Sequence, residues 1–139
     1  MLHLQKLCVG ADSVDDLTDW QNSQRHRWPT GTAIHVTRMW PKRQTEMEGG
    51  SLYWVIKGLI LCRQRILGLE EARGEDGILR CAIHLDLQII LTESIPRRPF
   101  QGWRYMQASD APRDIPKGRK QDAAIPPELA RALADIGLR

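Results

Sequence analysis

The chain has 139 residues, of which 42% are hydrophobic and 27% charged, and its formal net charge is +3 at pH 7. This length and composition predict one soluble globular domain and exclude a disordered or fibrous chain. The first residues lack the pattern of a secretion signal and Lys57 interrupts the longest apolar run, so we expect a cytoplasmic protein without a membrane span.

The N-terminal part predicts a strand followed by a helix. Apolar and polar residues alternate over residues 2 to 9, which is typical of a short strand. Ser13 and Asp16 then have the spacing of a capping box, and Pro29 follows the last helical turn. We therefore predict a helix from about Val14 to Arg27.

The next part predicts strands that surround a loop. Residues 33 to 40 alternate and are rich in β-branched and aromatic side chains, which predicts a strand. Residues 41 to 50 are bounded by Pro41 and a glycine pair and predict a loop. The segment "SLYWVIKGLI" that follows is apolar on both faces except at Lys57, as expected for a strand in the middle of a sheet.

A long hairpin is the preferred prediction for the middle of the chain. The tight-turn sequence "GEDG" separates residues 62 to 73 from residues 78 to 92, whose alternation fits an antiparallel pair. Residues 59 to 69 also fit a helical stripe, so both alternatives stay open for that stretch. After Pro96 and Pro99, "QGWRYM" predicts a final strand at the edge of a sheet.

Composition changes near Gln107, where prolines and charges increase and apolar residues become scarce. We interpret residues 113 to 139 as a linker or arm with a short C-terminal helix, and residues 1 to 112 as a single domain. The predicted fold class is α+β, with a mostly antiparallel, curled sheet, one early helix and the C-terminal helix.

The residues with catalytic potential do not form a recognisable motif. The four histidines and three cysteines lack zinc-ligand spacing, and no nucleophile elbow or phosphate-binding glycine loop occurs. Arg63 is adjacent to Cys62, which would activate an exposed thiol, but a buried inert thiol is the preferred interpretation. We expect no metal, no cofactor and no catalytic residue.

Basic and aromatic residues cluster in two distant segments. Residues 25 to 65 carry a net charge of +6 and residues 96 to 120 carry +5, and each segment places tryptophan beside several cations. Phosphate neutralisation together with base stacking needs this mixture, although small sheets also bury tryptophan. The candidate nucleic-acid-binding residues are Arg38, Lys42, Arg43, Lys57, Arg97, Arg98, Trp103, Arg104 and Tyr105.

Three blocks of sequence resemble a known family. "HLQKLCVGADSVDDL", "GGSLYWVIKG" followed by "CRQRI", and "RRPFQGWRY" resemble an uncharacterised bacterial family, found mainly in alphaproteobacteria, over about residues 2 to 112. This resemblance implies no activity and no catalytic residue. The order of elements, together with "YWVIKG", is also similar to the PUA-like superfamily, which implies a pseudo-barrel and includes RNA-binding modules.

The leading functional hypothesis is a non-catalytic RNA-binding module. One alternative is an enzyme or small-ligand protein with a pocket around Lys57 and Trp103, and another is an adaptor that binds a protein partner through its C-terminal helix. On a regular strand Trp103 and Arg104 point to opposite faces. Either the ring belongs to the core and the arginine contacts the ligand, or the reverse.

Overall fold

The computed structural model describes residues 1 to 115, so the predicted C-terminal helix lies outside the described residues. The strands are β1 (Leu2–Leu7), β2 (Thr32–Thr37), β3 (Ser51–Ile56), β4 (Leu59–Arg73), β5 (Leu79–Asp86), β6 (Ile90–Pro96) and β7 (Trp103–Gln107). The helix α1 (Val14–Gln24) is capped by the Ser13 side chain, which accepts a hydrogen bond from the Asp16 N–H. The predicted capping signal is confirmed.

The strands form one mixed sheet in the order β2-β5-β4-β3-β1-β7, with β6 also paired to β4. β1 and β3 are parallel, and the other pairs are antiparallel. The first part of β4 lies between β3 and β6, whereas its later part pairs with β5. An irregularity between Ile66 and Gly68 marks this change of partner, and such bulges bend a strand. The α+β class is consistent with this open, curled sheet.

The core has two parts because β3 is buried along its whole length. Alternate side chains of a strand point to opposite faces, so β3 contributes to a cluster on each side of the sheet. The larger cluster contains Leu2, Leu4, Leu17, Ala33, Met47, Leu52, Trp54, Ile56, Cys62, Cys81, Ile83, Leu85 and Trp103. The smaller cluster contains Tyr53, Val55, Ile60, Phe100 and Met106.

A buried amide pair joins α1 to the sheet. Gln64 and Gln21 exchange two side-chain hydrogen bonds of 2.8 and 2.9 Å. The Gln64 side chain also accepts from the Trp54 indole N–H and donates to the Asp86 carbonyl. All the hydrogen-bonding capacity of the Gln64 amide is therefore used, although its side chain is fully buried.

Three details differ from the sequence-based predictions. Lys57 and Gly58 both have positive φ, 50° and 80°, and form the two-residue turn between β3 and β4. The predicted strand "SLYWVIKGLI" is therefore two strands, and Lys57 is exposed at the turn rather than inside a strand. The second arm of the long hairpin ends at Asp86, and Ile90 begins β6. Regular α-helix ends at Gln24, before a 3-10 turn.

Other element predictions are confirmed. Residues 59 to 69 are strand rather than helix, and "GEDG" forms the turn of the β4–β5 hairpin. β7 is an edge strand, as the two prolines before it predict. None of the helices in residues 1 to 115 is long and apolar enough to cross a membrane.

The amide pair predicts an order of destabilisation. Gln64→Met keeps the side-chain length but leaves Trp54, Gln21 and Asp86 with unpaired buried groups, so we expect a loss of roughly 3 kcal/mol in the free energy of unfolding. Gln21→Met leaves the Trp54 and Asp86 bonds in place, and we expect about 1 kcal/mol. Urea denaturation of both variants measures the difference, and a larger loss for Gln21→Met would contradict the network.

Candidate functional site

The two basic segments meet at the edge strand β7. The Trp103 indole N–H donates to the Met39 carbonyl at 2.8 Å, and the Arg43 backbone N–H donates to the Tyr105 hydroxyl at 3.1 Å. These bonds connect the segment after β2, which is one edge strand, to β7, the other. The sheet therefore curls far enough for its two edges to be linked by side-chain hydrogen bonds.

Trp103 and Arg104 point to opposite faces of β7. Trp103 is 9% exposed and belongs to the larger core cluster, whereas Arg104 is exposed and its guanidinium lies 4.9 Å from the centre of the Phe100 ring. Of the two alternatives for this pair, the first is observed: the ring is in the core and the arginine reaches solvent. Trp103 presents no open ring face of the kind on which a base stacks.

The cations of residues 38 to 43 are all exposed, and one of them is already paired. Arg43 donates two hydrogen bonds of 2.6 Å to Glu46, and its guanidinium lies 5.5 Å from the Tyr105 ring centre. Arg38 and Lys42 are exposed on either side of Pro41. Tyr105 is half-buried and packs against Trp103 edge to face. Tyr105 is therefore the ring that contacts Arg43 on this face.

A second set of predicted residues borders an open groove on the other side of β1. Lys57 and Arg97 line this groove, whose volume is about 480 Å³, with Leu7, Val55 and Pro99 among its apolar walls. The Arg97 backbone N–H donates to Gly58, and its guanidinium donates to Gln5 at 3.0 Å. Arg97 is therefore held in position by the β3–β4 turn and by β1.

The groove does not include Trp103. Lys57 lies at the β3–β4 turn, where its ammonium is 3.6 Å from Asp12, while Trp103 packs in the core beside Met39. Lys57 and Trp103 therefore lie in different parts of the molecule and do not line a common pocket. Arg98 is exposed next to Arg97 and completes the predicted set.

A cavity that sequence patterns did not reveal lies between α1 and the curled sheet. Its volume is about 390 Å³, within the range of small-molecule sites. Most of the walls are apolar and come from five elements and the loop before α1: Leu7, Val9, Gly10, Ala11, Leu17, Trp20, Gln21, Ala33, Ile34, Trp54 and Leu85. Four residues add titratable groups: Lys6, Cys8, Asp16 and His35. These four residues belong to β1, the loop after it, α1 and β2, so their spacing in sequence provided no signal.

Burial changes the pKa values of Lys6, Cys8 and His35. Desolvation lowers the pKa of His35 to about 4, with a further lowering by the charge of Lys6, so the imidazole is neutral at pH 7. The His35 ring packs edge to face on Trp54 at 5.1 Å, and its Nε2 atom is buried without a hydrogen-bond partner in residues 1 to 115. Desolvation also lowers the pKa of Lys6 and raises that of Cys8 to about 11.

The cysteines do not provide a thiolate. Cys62 is fully buried and its pKa is raised to about 12 by desolvation, while the adjacent Arg63 pairs with Asp114 at 2.8 Å. The preferred interpretation of Cys62 as a buried thiol is confirmed. Within residues 1 to 115, no group of three His, Cys, Asp or Glu side chains is arranged to hold a metal ion.

Comparison with known families identifies the group to which the chain belongs. The model of a family described as "Protein of unknown function (DUF1489)" matches residues 4 to 139. The chain is a member of the DUF1489 family. The resemblance of the sequence to a family of unknown function is thus confirmed. No curated protein and no solved structure matches this DUF1489 chain.

The neutral His35 predicts a loss of stability in acid. Its pKa is lower in the folded chain than in the unfolded one, so the unfolded state binds more protons between about pH 6.5 and pH 4, and stability falls as pH falls through this window. Between pH 7 and pH 4.5 the wild type should lose about 2 kcal/mol more than His35→Phe. Urea denaturation at both pH values measures this difference, with exposed His26→Phe as the matched control. Equal losses in His35→Phe and wild type would contradict it.

The raised pKa of Cys8 predicts slow alkylation. At pH 8 its thiolate fraction should be about 100-fold lower than that of a thiol whose pKa is 9.0, and the rate of alkylation should rise with pH until about pH 11. Iodoacetamide labelling followed by mass spectrometry measures this rate, with N-acetylcysteine as the reference. Labelling of Cys8 as fast as the reference at pH 8 would contradict the buried-thiol interpretation.

Proposed function

We propose that this chain binds single-stranded RNA without catalysis, through the cations around β7 and the β3–β4 turn. The observation that supports this function best is the linkage of the two basic segments by the Trp103–Met39 and Tyr105–Arg43 hydrogen bonds. Segments more than fifty positions apart in sequence thereby supply cations to one edge of the sheet. Phosphate neutralisation by clustered Lys and Arg dominates nucleic-acid affinity.

The proposed RNA surface has two sides. Arg43 contacts Tyr105 on the side of the larger core cluster, and Arg38 and Lys42 belong to the same exposed segment. Arg104 lies on the opposite face of the same edge strand. Arg97, Arg98 and Lys57 continue this opposite side. An RNA backbone that crosses the exposed edge of β7 contacts cations from both sides, and Tyr105 is the ring available beside them. In this arrangement Trp103 positions the Met39 segment and does not stack on a base.

The charge distribution supports this choice of surface. The acidic residues Glu70, Glu71, Glu75 and Asp76 lie on the outer part of the β4–β5 hairpin, at β4 and its turn. Asp76 is paired with Arg80 at 2.8 Å, which neutralises one cation there. In residues 1 to 115, Arg38, Lys42, Arg98 and Arg104 are exposed cations without an ion pair in these two segments, and the field of the molecule attracts a polyanion to them.

Several finer statements belong to the same proposal. We infer a PUA-like relationship from the open, curled sheet whose last strand is linked by side-chain hydrogen bonds to the segment after β2. We infer a bacterial, cytoplasmic protein from the sequence resemblance and the reduced thiols. We keep residues 1 to 112 as the domain and residues 113 to 139 as the arm. The adaptor alternative depends on the predicted C-terminal helix, which lies outside the described residues.

Paired substitutions in each basic segment test the RNA surface. Arg38→Ala with Lys42→Ala removes two exposed cations from the first segment, and Arg98→Ala with Arg104→Ala removes two from the second. We expect each pair to weaken binding of a short fluorescein-labelled single-stranded RNA, and to reduce the slope of log affinity against log salt by about 1.4. Fluorescence anisotropy at increasing KCl concentrations measures both quantities.

A charge-matched control removes cations from elsewhere. Arg27 and Arg73 are exposed near the end of α1 and at the hairpin, so Arg27→Ala with Arg73→Ala changes net charge equally but should leave the salt slope close to that of the wild type. Wild-type affinity that is indifferent to salt, or equal effects of all three pairs, would exclude a localised RNA surface.

A further inference from the structure

The cavity between α1 and the sheet has the features of a ligand site separate from the RNA surface. The wall shared by the cavity and the Lys57 groove is the segment Leu7 to Val9, so the two openings face opposite sides of the end of β1. The cavity walls include residues of β1 and β2. Three other strands separate these two in the sheet, so they line one cavity only because the sheet curls. Its apolar lining accommodates an organic body of ring size rather than a bare ion.

One cation inside the cavity lacks an anionic partner. Lys6 projects from β1 toward the larger core cluster, since its register partners are Trp54 and Trp103. No carboxylate in residues 1 to 115 forms an ion pair with its ammonium, whereas Lys57 at the neighbouring groove is paired with Asp12. A partly buried, unpaired ammonium is costly, and an anion bound beside it recovers that cost.

The His35 ring forms part of the same cavity wall. His35 Nε2 is buried and unpartnered, and the edge-to-face contact with Trp54 fixes the plane of its ring. His35 and Lys6 both line this cavity, and the charge of Lys6 contributes to the lowered pKa of His35. Asp16 is the one carboxylate of the lining, but it is exposed, and its Oδ2 accepts a hydrogen bond from the Asp12 N–H at 2.9 Å. The Asp16 carboxylate is therefore exposed to solvent at the rim of the cavity, where it already accepts a hydrogen bond from the backbone.

We propose that this cavity binds a small carboxylic acid with an apolar, ring-sized body. The carboxylate pairs with the Lys6 ammonium, and the ligand lies beside the neutral His35 ring that forms part of the cavity wall. The apolar body packs against Trp54, Leu17 and Leu85. This site goes beyond RNA binding and uses none of the cations assigned to the RNA surface.

The probe for this site is 2-naphthoate, and 2-naphthamide is its uncharged counterpart of the same shape. Isothermal titration calorimetry on the full chain should show naphthoate binding at least about tenfold more tightly than the amide. Lys6→Met keeps the apolar stem and should abolish this preference, leaving the affinity for the amide within about twofold. The His35 ring signals of the wild type should shift in NMR spectra when naphthoate binds, because this ring lines the cavity.

Arg65→Met provides the matched control, because Arg65 is an exposed cation on β4 that does not line the cavity. It should change neither affinity by more than about twofold. Equal affinity of the wild type for acid and amide, absence of both heat and a His35 shift with naphthoate, or an unchanged preference in Lys6→Met would each overturn the proposal. The comparison of naphthoate with naphthamide uses the wild type, so it tests the proposed site even if Lys6→Met does not fold.

Discussion

Complete burial of β3 is the constraint on which the rest of the structure depends. A strand whose two faces both avoid water needs apolar cover on each side of the sheet. On one side α1, β2 and β5 provide it, and on the other Phe100 and Met106 do. The flanking strands follow from the same need, because the Lys57–Gly58 turn returns the chain directly as β4, and β1 pairs along the opposite edge of β3.

The curl of the sheet connects this core with both candidate sites. The irregularity near Gly68 lets β4 change partners, so β2 and β5 turn back over the larger cluster. The segment after β2 can then reach β7, where Trp103 and Tyr105 hold it. The same curl leaves the space between β1 and β2 that α1 covers only in part, and this space is the cavity. Burial then lowers the pKa of both Lys6 and His35.

The sequence indicated many residues of the candidate site, but not which of them are buried in the core and which are exposed to solvent. The sequence showed two segments rich in cations and aromatic rings, residues 38 to 43 and residues 103 to 105. In the structure these two segments are in contact. Strand alternation also required that Trp103 and Arg104 face opposite sides. Which of them is buried depends on the position of Met39, which is sixty-four residues away in sequence. Lys6 and His35 showed no local signal because their surroundings come from distant elements.

The sequence by itself determined the elements: the cap at Ser13, the edge position of β7 after its prolines, the tight "GEDG" turn and the apolar run of β3 are local, since each depends on the conformational preferences of a few adjacent residues. The Lys57–Gly58 turn is local as well. It was not predicted from the sequence because few non-glycine residues adopt positive φ, so a lysine is not an expected turn residue there. Only the tertiary structure decided the parallel pairing of β1 with β3, the bond partners of Gln64 and the cavity. These arise from contacts between residues distant in sequence, whose free energy comes from joint burial and hydrogen bonding and leaves no periodic pattern in the chain.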